Sequence, residues 1–332
     1  MATVSAVLIV RDEARSITRC LRSLRGQVDE VLVLDTGSVD ETVALARTEG
    51  ARVEHFGWVD DFAAARNRSL ELATGDWRLV VDADEWLADG TEDLAALRAG
   101  SSALIATPTV GAVTIVSDLS DGHESHSCQP RLLPRGVTFA GVIHEQPVLD
   151  GPALRTRIRL GHDGYLRDQL ARKGERNRVL LEAALLADPE DLYLRYQLGK
   201  DHEVHHRYVE AARHYDAAYA ATASDAPWRH DLVVRYLFTL GQADRSADAL
   251  DIAERELPQW LHSADFFFVL GDVLLTHATE NPSAGAGLLP LIDDAWSRCL
   301  ELGDTLDLPG SVAGRGSHLA EHNLRVLRGQ IG

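Results

Sequence analysis

Cysteine is nearly absent from this chain. Three residues, Cys20, Cys128 and Cys299, are scattered over 332 positions, and an odd, dispersed set builds no disulfide framework. Lysine is scarcer still: Lys173 and Lys200 are the only two, so the positive charge is almost all arginine. Basic charge as a whole is short, with 33 Lys and Arg against 51 Asp and Glu, a formal net charge of −18. A field of that sign repels phosphate backbones and anionic membrane surfaces, which excludes a general nucleic-acid binder. It also makes an anionic substrate awkward unless a cation intervenes. Long apolar runs are missing too. No stretch approaches the ~18 residues of a membrane span. The first apolar run has no basic start and meets Arg11, Asp12 and Glu13 too soon to read as a secretion signal. These absences point to a cytoplasmic protein without an integral membrane segment.

What is present is ordinary for a soluble globular chain: 45% hydrophobic and 25% charged residues. The length suggests two domains. In the first half, strand-like and helix-like patterns alternate. Val4 to Val10 is an almost continuous apolar run, as expected of a strand buried on both faces. Ile17, Leu21 and Leu24 recur at helical spacing. Val31 to Leu34, Arg52 to Phe56 and Trp77 to Val81 read as further strands, with helices expected from about Asp40 and over Phe62 to Ala73. That alternation predicts an α/β fold with a mostly parallel, Rossmann-like sheet. Ligands bind beyond the carboxyl ends of such strands. There the sequence places Arg11-Asp12-Glu13, Asp35-Thr36-Gly37-Ser38, Trp58 with Asp60 and Asp61, and Asp82-Ala83-Asp84-Glu85. Polar loops explain one or two such ends better than four.

From about Arg167 strands disappear and helical periodicity runs almost to Gly332. Leu198-Gly199, followed by Ala211, Tyr215 and Ala218, has the spacing of the small and aromatic packing positions of a tetratricopeptide repeat. Asp188-Pro189 precedes it as a helix-start signal, and Leu240-Gly241 and Leu270-Gly271 echo it weakly. The expected organisation is an α/β domain over 1–165 and an all-α helical domain over 166–332.

Asp82-Ala83-Asp84 is the main chemical signal. Two carboxylates flanking one residue on the turn after a buried strand can reach one hard cation, Mg²⁺ or Mn²⁺, which shares its oxygen ligands with substrate phosphates. Alone, most such pairs are solvated surface carboxylates; the position after a buried strand is what raises this one.

Taken together the N-terminal half resembles a family-2 glycosyltransferase of the GT-A fold. The resemblance is carried by Ile9-Val10-Arg11-Asp12-Glu13, Leu34 to Thr42, Trp58-Val59-Asp60-Asp61-Phe62, Ala65-Arg66-Asn67, Gly75-Asp76-Trp77 and Asp82 to Glu85. It continues through Phe139 to Glu145, His162-Asp163-Gly164-Tyr165 and Arg172 to Asn177 into the repeat unit. The combination looks like glycosyltransferases with a C-terminal tetratricopeptide-like region, a group that includes peptide S-glycosyltransferases. The resemblance implies roles by position. Asp35 contacts the nucleotide base; Val10, Arg11 and Glu13 flank base and ribose; Arg66 lies near the nucleotide. Asp82 and Ala83 meet the donor diphosphate, and Asp82 and Asp84 the metal. Two departures stand out: Val39 where Thr is common, and Asp12 where Asn is common. Gly37 and Asp40 predict that the turn survives.

The family is inverting, so one carboxylate deprotonates the acceptor during a single displacement. Glu145 is the first candidate, against a role in orienting His144, and Asp163 is the reserve. His162 is a candidate further metal ligand and His144 competes with it; for each the plainer reading is a structural hydrogen bond. The implied partners are a nucleotide-sugar donor, UDP before GDP or dTDP, and a peptide, natural-product or glycan acceptor. The helical region allows a homodimer.

Three motifs point elsewhere. Asp35-Thr36-Gly37-Ser38 spells an aspartic-protease string, but only one copy is present where two are needed. His202-Glu203-Val204-His205-His206 fits a zinc-protease pattern but falls where a repeat helix should end. His123, His126 and Cys128 could bind zinc but lack a second pair and read better as a loop near the acceptor. Two rival functions also stand against the transferase. One is a non-catalytic peptide-binding protein with a degenerate first domain. The other is a nucleotidyltransferase, disfavoured because no glycine-rich loop follows the first strand.

Overall fold

A computed structural model describes residues 2–106, 109–118, 124–149, 151–163 and 167–331. His123 and the Gly164-Tyr165 pair lie outside the described residues. The chain divides into two compact units: residues 1–122 with 127–172, and residues 123–126 with 173–332.

The first unit contains β1 (Val4–Val10), α1 (Ile17–Leu24), β2 (Glu30–Asp35), α2 (Thr42–Thr48), β3 (Arg52–His55), α3 (Phe62–Leu72), β4 (Trp77–Val80), β5 (Glu85–Asp89), α4 (Thr91–Ala99), α5 (Ala103–Ala106), β6 (Gly111–Asp118), β7 (Glu124–Pro134, from Ser127 onward), β8 (Phe139–Ala140), β9 (Gln146–Pro147) and β10 (Leu154–His162). An eight-stranded sheet runs in the order β3-β2-β1-β4-β7-β6-β10-β5, and β8 and β9 form a separate hairpin. β3, β2, β1 and β4 are parallel, β7 is antiparallel to β4, β10 is parallel to β6, and β5 closes the edge antiparallel to β10.

β1 is apolar throughout because both its faces are covered. Val4, Ala6, Leu8 and Val10 pack with Ile17, Cys20, Leu21 and Leu24 of α1. Val7 packs with Leu32 and Val80 against Ala63 and Leu70 of α3. Asp61 caps α3 by accepting from Ala64 N at 2.9 Å. At the other end Arg78 donates to Leu70 O at 3.3 Å and Ala73 O at 3.0 Å, satisfying carbonyls that the helix leaves over.

This register sets the site. Val10 pairs with Asp35, and Asp35 with His55, so the ends of three strands share one row. Four residues separate β4 from β5, although three strands lie between them in the sheet. The 82–85 turn therefore passes the ends of β7, β6 and β10. The expected loop at 126–128 is instead the start of β7, with His126 buried and Cys128 exposed.

α6 (Arg167–Ala187) crosses the division between the units. The second unit contains α7 (Leu192–Val204), α8 (Tyr208–Ala221), α9 (Arg229–Gln242), α10 (Ser246–Glu256), α11 (Ala264–Glu280), α12 (Pro282–Leu302) and α13 (His318–Ile331). They pack as successive pairs, α7 with α8, α9 with α10 and α11 with α12, and α13 covers α12. The N-cap of α7 is Asp191, accepting from Leu194 N at 2.9 Å, three residues after the Asp188 that the sequence suggested. A Cβ on Gly199 would lie 2.5 Å from the Tyr215 ring, and one on Gly271 2.4 Å from the Trp296 indole. The same device, glycine under an aromatic ring, closes the first and third helix pairs.

Candidate active site

The loops after β1 and β2 are laced together. Asp12, with φ 55°, accepts from Val39 N at 2.8 Å, and its own N–H donates to Ser38 Oγ at 3.0 Å. Glu13 N donates to Thr42 Oγ1 at 2.7 Å and Ala14 N to Asp40 Oδ2 at 3.1 Å. Asp is among the few non-glycine residues that tolerate the left-handed region. Val39 is 93% exposed, so the side chain at the unusual position contributes nothing to the turn. Val10 is buried, its carbonyl accepting from Thr36 N at 2.9 Å, and Arg11 is exposed.

Asp35 is buried within this turn. It accepts from Gly37 N at 3.2 Å and Ser38 N at 3.1 Å, and pairs with His55 Nδ1 at 3.2 Å. Burial works against ionisation of Asp35, but the Ser38, His55 and Gly37 hydrogen bonds outweigh it and hold the carboxyl below its ordinary range.

The 82–85 turn is the centre of the arrangement. Glu85 N donates to Asp82 O at 3.0 Å, and Asp82 N donates back to Glu85 Oε2 at 2.8 Å. Each Asp82 oxygen takes one arginine: Oδ1 receives Arg66 Nη2 at 3.1 Å and Oδ2 receives Arg131 Nη2 at 3.0 Å. Burial would raise the Asp82 carboxyl, but the two guanidiniums prevail and hold it well below the carboxylate range. Burial pushes Glu85 up to about 7, with Arg131 opposing and the Asp82 charge assisting. Arg66 also donates to Glu145 Oε1, from Nε at 3.2 Å and from Nη2 at 3.1 Å. Nη1 of both Arg66 and Arg131 is buried without a protein partner, so each guanidinium keeps a donor in reserve.

Asp84 and Ala83 are buried. His162, at the end of β10, brings Nε2 to 3.7 Å from Asp84 Oδ2, while its Nδ1 lies 3.0 Å from Ser117 Oγ on β6. Ser117 thus orients the ring, as partners of metal-binding histidines commonly do. Burial pulls the imidazole down, but Asp84, Glu85 and Asp82 outweigh it and raise it. Among the described residues, no three His, Cys, Asp or Glu side chains gather as a ready metal-ligand set. The donor chemistry suits a hard or borderline cation through Asp84 and His162, with substrate phosphates completing the shell. Asp82 fits less well, because both its oxygens are engaged.

Asp163 joins these groups through its backbone, its N–H donating to Asp84 O at 3.4 Å, but its carboxylate is taken by two arginines. Arg15 donates to both its oxygens at 3.0 Å and Arg19 to Oδ2 at 2.6 Å. Burial raises Asp163, but the two arginines more than offset this. His144, with φ 50°, sits exposed on the turn before Glu145.

Sequence reasoning missed Arg131, Ser117, His55 and the Arg15–Arg19 pair. Arg131 carried one signal, a charge set directly before the buried Leu132 and Leu133. The zinc-protease pattern dissolves. α7 ends at Val204, and Glu203 is bound by Tyr215 at 2.7 Å and Arg235 at 2.8 Å.

Residues 5–109 match the family model described as Glycosyl transferase family 2. A TPR repeat-containing protein of Synechococcus elongatus is 40% identical over 216 residues, 60% of this chain and 52% of that protein. The SPbeta prophage-derived glycosyltransferase SunS of Bacillus subtilis is 26% identical over 284 residues, 80% of this chain and 65% of that protein. The chain thus spans between half and two thirds of these relatives. Glucosyl-3-phosphoglycerate synthase from Mycobacterium tuberculosis, solved with Mn²⁺, UDP and glucosyl-3-phosphoglycerate, aligns at 28% identity and a TM-score of 0.28, covering 35% of this chain and 44% of that one. The chain resembles family-2 glycosyltransferases, with a GT-A-like α/β unit followed by a tetratricopeptide-like helical region.

Proposed function

We propose that this chain is an inverting glycosyltransferase that moves a sugar from a nucleotide-sugar, a UDP-sugar first, to a peptide, natural-product or glycan acceptor. Residues 1–165 carry the chemistry, and residues 166–332 recognise the acceptor or pair two copies. The observation that carries this reading is the meeting of Arg66, Asp82 and Glu145 beside Asp84 and His162, at the strand ends where α/β sheets bind ligands.

Asp35 accepts an N–H from the base, and Val10, Arg11 and Glu13 border the base and ribose. Arg66 and Arg131 hold Asp82 and direct their spare Nη1 donors to oxygens of the donor. Asp84 and His162 would hold Mn²⁺ or Mg²⁺. Bound there, the cation would neutralise the leaving diphosphate as a Lewis acid and template. Glu145 uses only Oε1 toward Arg66, which leaves Oε2 for the acceptor. It takes the acceptor's proton as the acceptor atom bonds the anomeric carbon. The bond from that carbon to the diphosphate oxygen breaks on the opposite face, and the nucleoside diphosphate departs with the electron pair. Asp163, engaged by two arginines, braces the β1 loop in this reading rather than serving as the base.

Thermal shift with UDP-, GDP- and dTDP-sugars in the presence of Mn²⁺ tests the proposal. Stabilisation by at least one donor, lost in EDTA, is expected. No stabilisation by any of them would instead favour a peptide-binding protein with an inactive first domain.

A further inference from the structure

α3 holds the turn that carries Glu145 at three successive points. Phe62 N donates to Val142 O at 2.8 Å. Arg66 donates to Glu145 Oε1. Next to Arg66 stands Asn67, whose amide bonds both backbone groups of one residue: Nδ2 donates to Phe139 O at 2.9 Å, and Phe139 N donates to Oδ1 at 2.7 Å. One donor and one acceptor on a single partner are what a neighbouring strand residue would offer. Asn67 therefore stands in for a strand along β8.

The chain from Phe139 to Glu145 needs such support. It bends through Gly141 at φ 96° and His144 at φ 50°. Glycine accepts that region freely; for histidine it costs energy and persists only where the surroundings enforce it. The strained residue directly precedes Glu145. Its upstream anchor is the β8–β9 hairpin, in which Phe139 pairs with Pro147 and Ala140 with Gln146.

We propose that Asn67 is a positioning residue for Glu145. It touches no substrate; it fixes Phe139, and through the strained turn it sets the Glu145 carboxylate where the acceptor proton is taken. This rests on the reading of Glu145 as the base.

The test uses the full chain with Mn²⁺ and UDP-glucose, GDP-mannose or dTDP-glucose. Nucleoside diphosphate release to water is measured for the parent, Asn67→Asp, Asn67→Ala, Glu145→Gln and the Asn67→Ala/Glu145→Gln double variant. Asn67→Asp keeps the size and the acceptor but sets an oxygen against Phe139 O. Both single Asn67 variants are expected to lose about 10- to 100-fold in kcat, the scale of a misplaced catalytic group, with donor KM nearly unchanged. In the Glu145→Gln background the Asn67 change should cost almost nothing further, because residues acting as a unit are not additive. Equal losses in both backgrounds, or an unchanged kcat with only a lowered Tm, would overturn the proposal. Amide exchange over 139–145 checks the tether separately: faster exchange in Asn67→Ala supports it, and no change overturns it. A parent that releases nucleoside diphosphate from none of the donors overturns the transferase reading, and the role of Asn67 in it.

Discussion

Arg66 fastens two carboxylates that lie 63 residues apart in sequence, donating from Nη2 to Asp82 Oδ1 and to Glu145 Oε1, each at 3.1 Å. The guanidinium is 6% exposed and Glu145 11%, so that pair is shielded from solvent, whereas Asp82 at 35% stays open to it. One guanidinium thereby links the 82–85 turn to the candidate base.

Glu145→Gln keeps the hydrogen bond from Arg66 and removes the proton acceptor. It is expected to lower kcat by roughly 100- to 10,000-fold, the usual contribution of a general base, with donor KM almost unchanged. Asp163→Asn is expected to cost less than about 10-fold, because its carboxylate faces Arg15 and Arg19. Steady-state kinetics of the two variants decide which carboxylate is the base, and a larger loss in Asp163→Asn would reverse the assignment.

Asp84→Ala and His162→Ala should each weaken metal-dependent donor binding, whereas Asp82→Asn should mainly disturb Arg66 and Arg131. Calorimetric titration with UDP at fixed Mn²⁺ separates these effects. The predicted signature is a loss of Mn²⁺ dependence in the first two variants and its retention in the third.

Much of this site was legible before the structure, for a physical reason. β1, β2 and β4 are buried on both faces, so they appear as apolar runs whose charged ends are easy to find. The partners of those ends were not legible. Arg131 arrives on an antiparallel strand that opens with Glu124-Ser125-His126-Ser127, a polar stretch without strand alternation. Ser117 and Arg19 act only through pairings formed by tertiary folding. Asp163 reads as a reserve base because the sequence says nothing of the two arginines that meet it. In the helical region, Gly199, Ala211, Tyr215 and Ala218 were readable because a close helix crossing demands small residues at fixed spacing.

That crossing gives a stability prediction. Gly199→Ala places a Cβ 2.5 Å from a fully buried Tyr215 ring. The overpacking should cost about 1–3 kcal/mol. Thermal denaturation checks it, and an unchanged Tm would mean that the helices separate without penalty.

The helical region also carries a pH signature. His202 and His214 stack with ring centroids 5.4 Å apart and planes 10° from parallel. Burial, with His202 and Arg195 adding, holds His214 down at about 4. A histidine depressed on folding stabilises above its unfolded value near 6.5, and that contribution is lost as pH falls toward 4. His214→Phe should therefore gain on the parent between pH 6.5 and 4, by about 1–2 kcal/mol after solvent screening. Tm difference against pH is the measurement; a flat difference removes the histidine from the account.

Sugar transfer is tested most directly by mass-spectrometric product analysis of UDP-glucose, GDP-mannose and dTDP-glucose incubated with the full chain and Mn²⁺. At least one donor is expected to be converted to its nucleoside diphosphate and free sugar, and EDTA or Asp84→Ala to abolish the conversion. Pyrophosphate release, equal turnover in EDTA, or no donor consumed would contradict it.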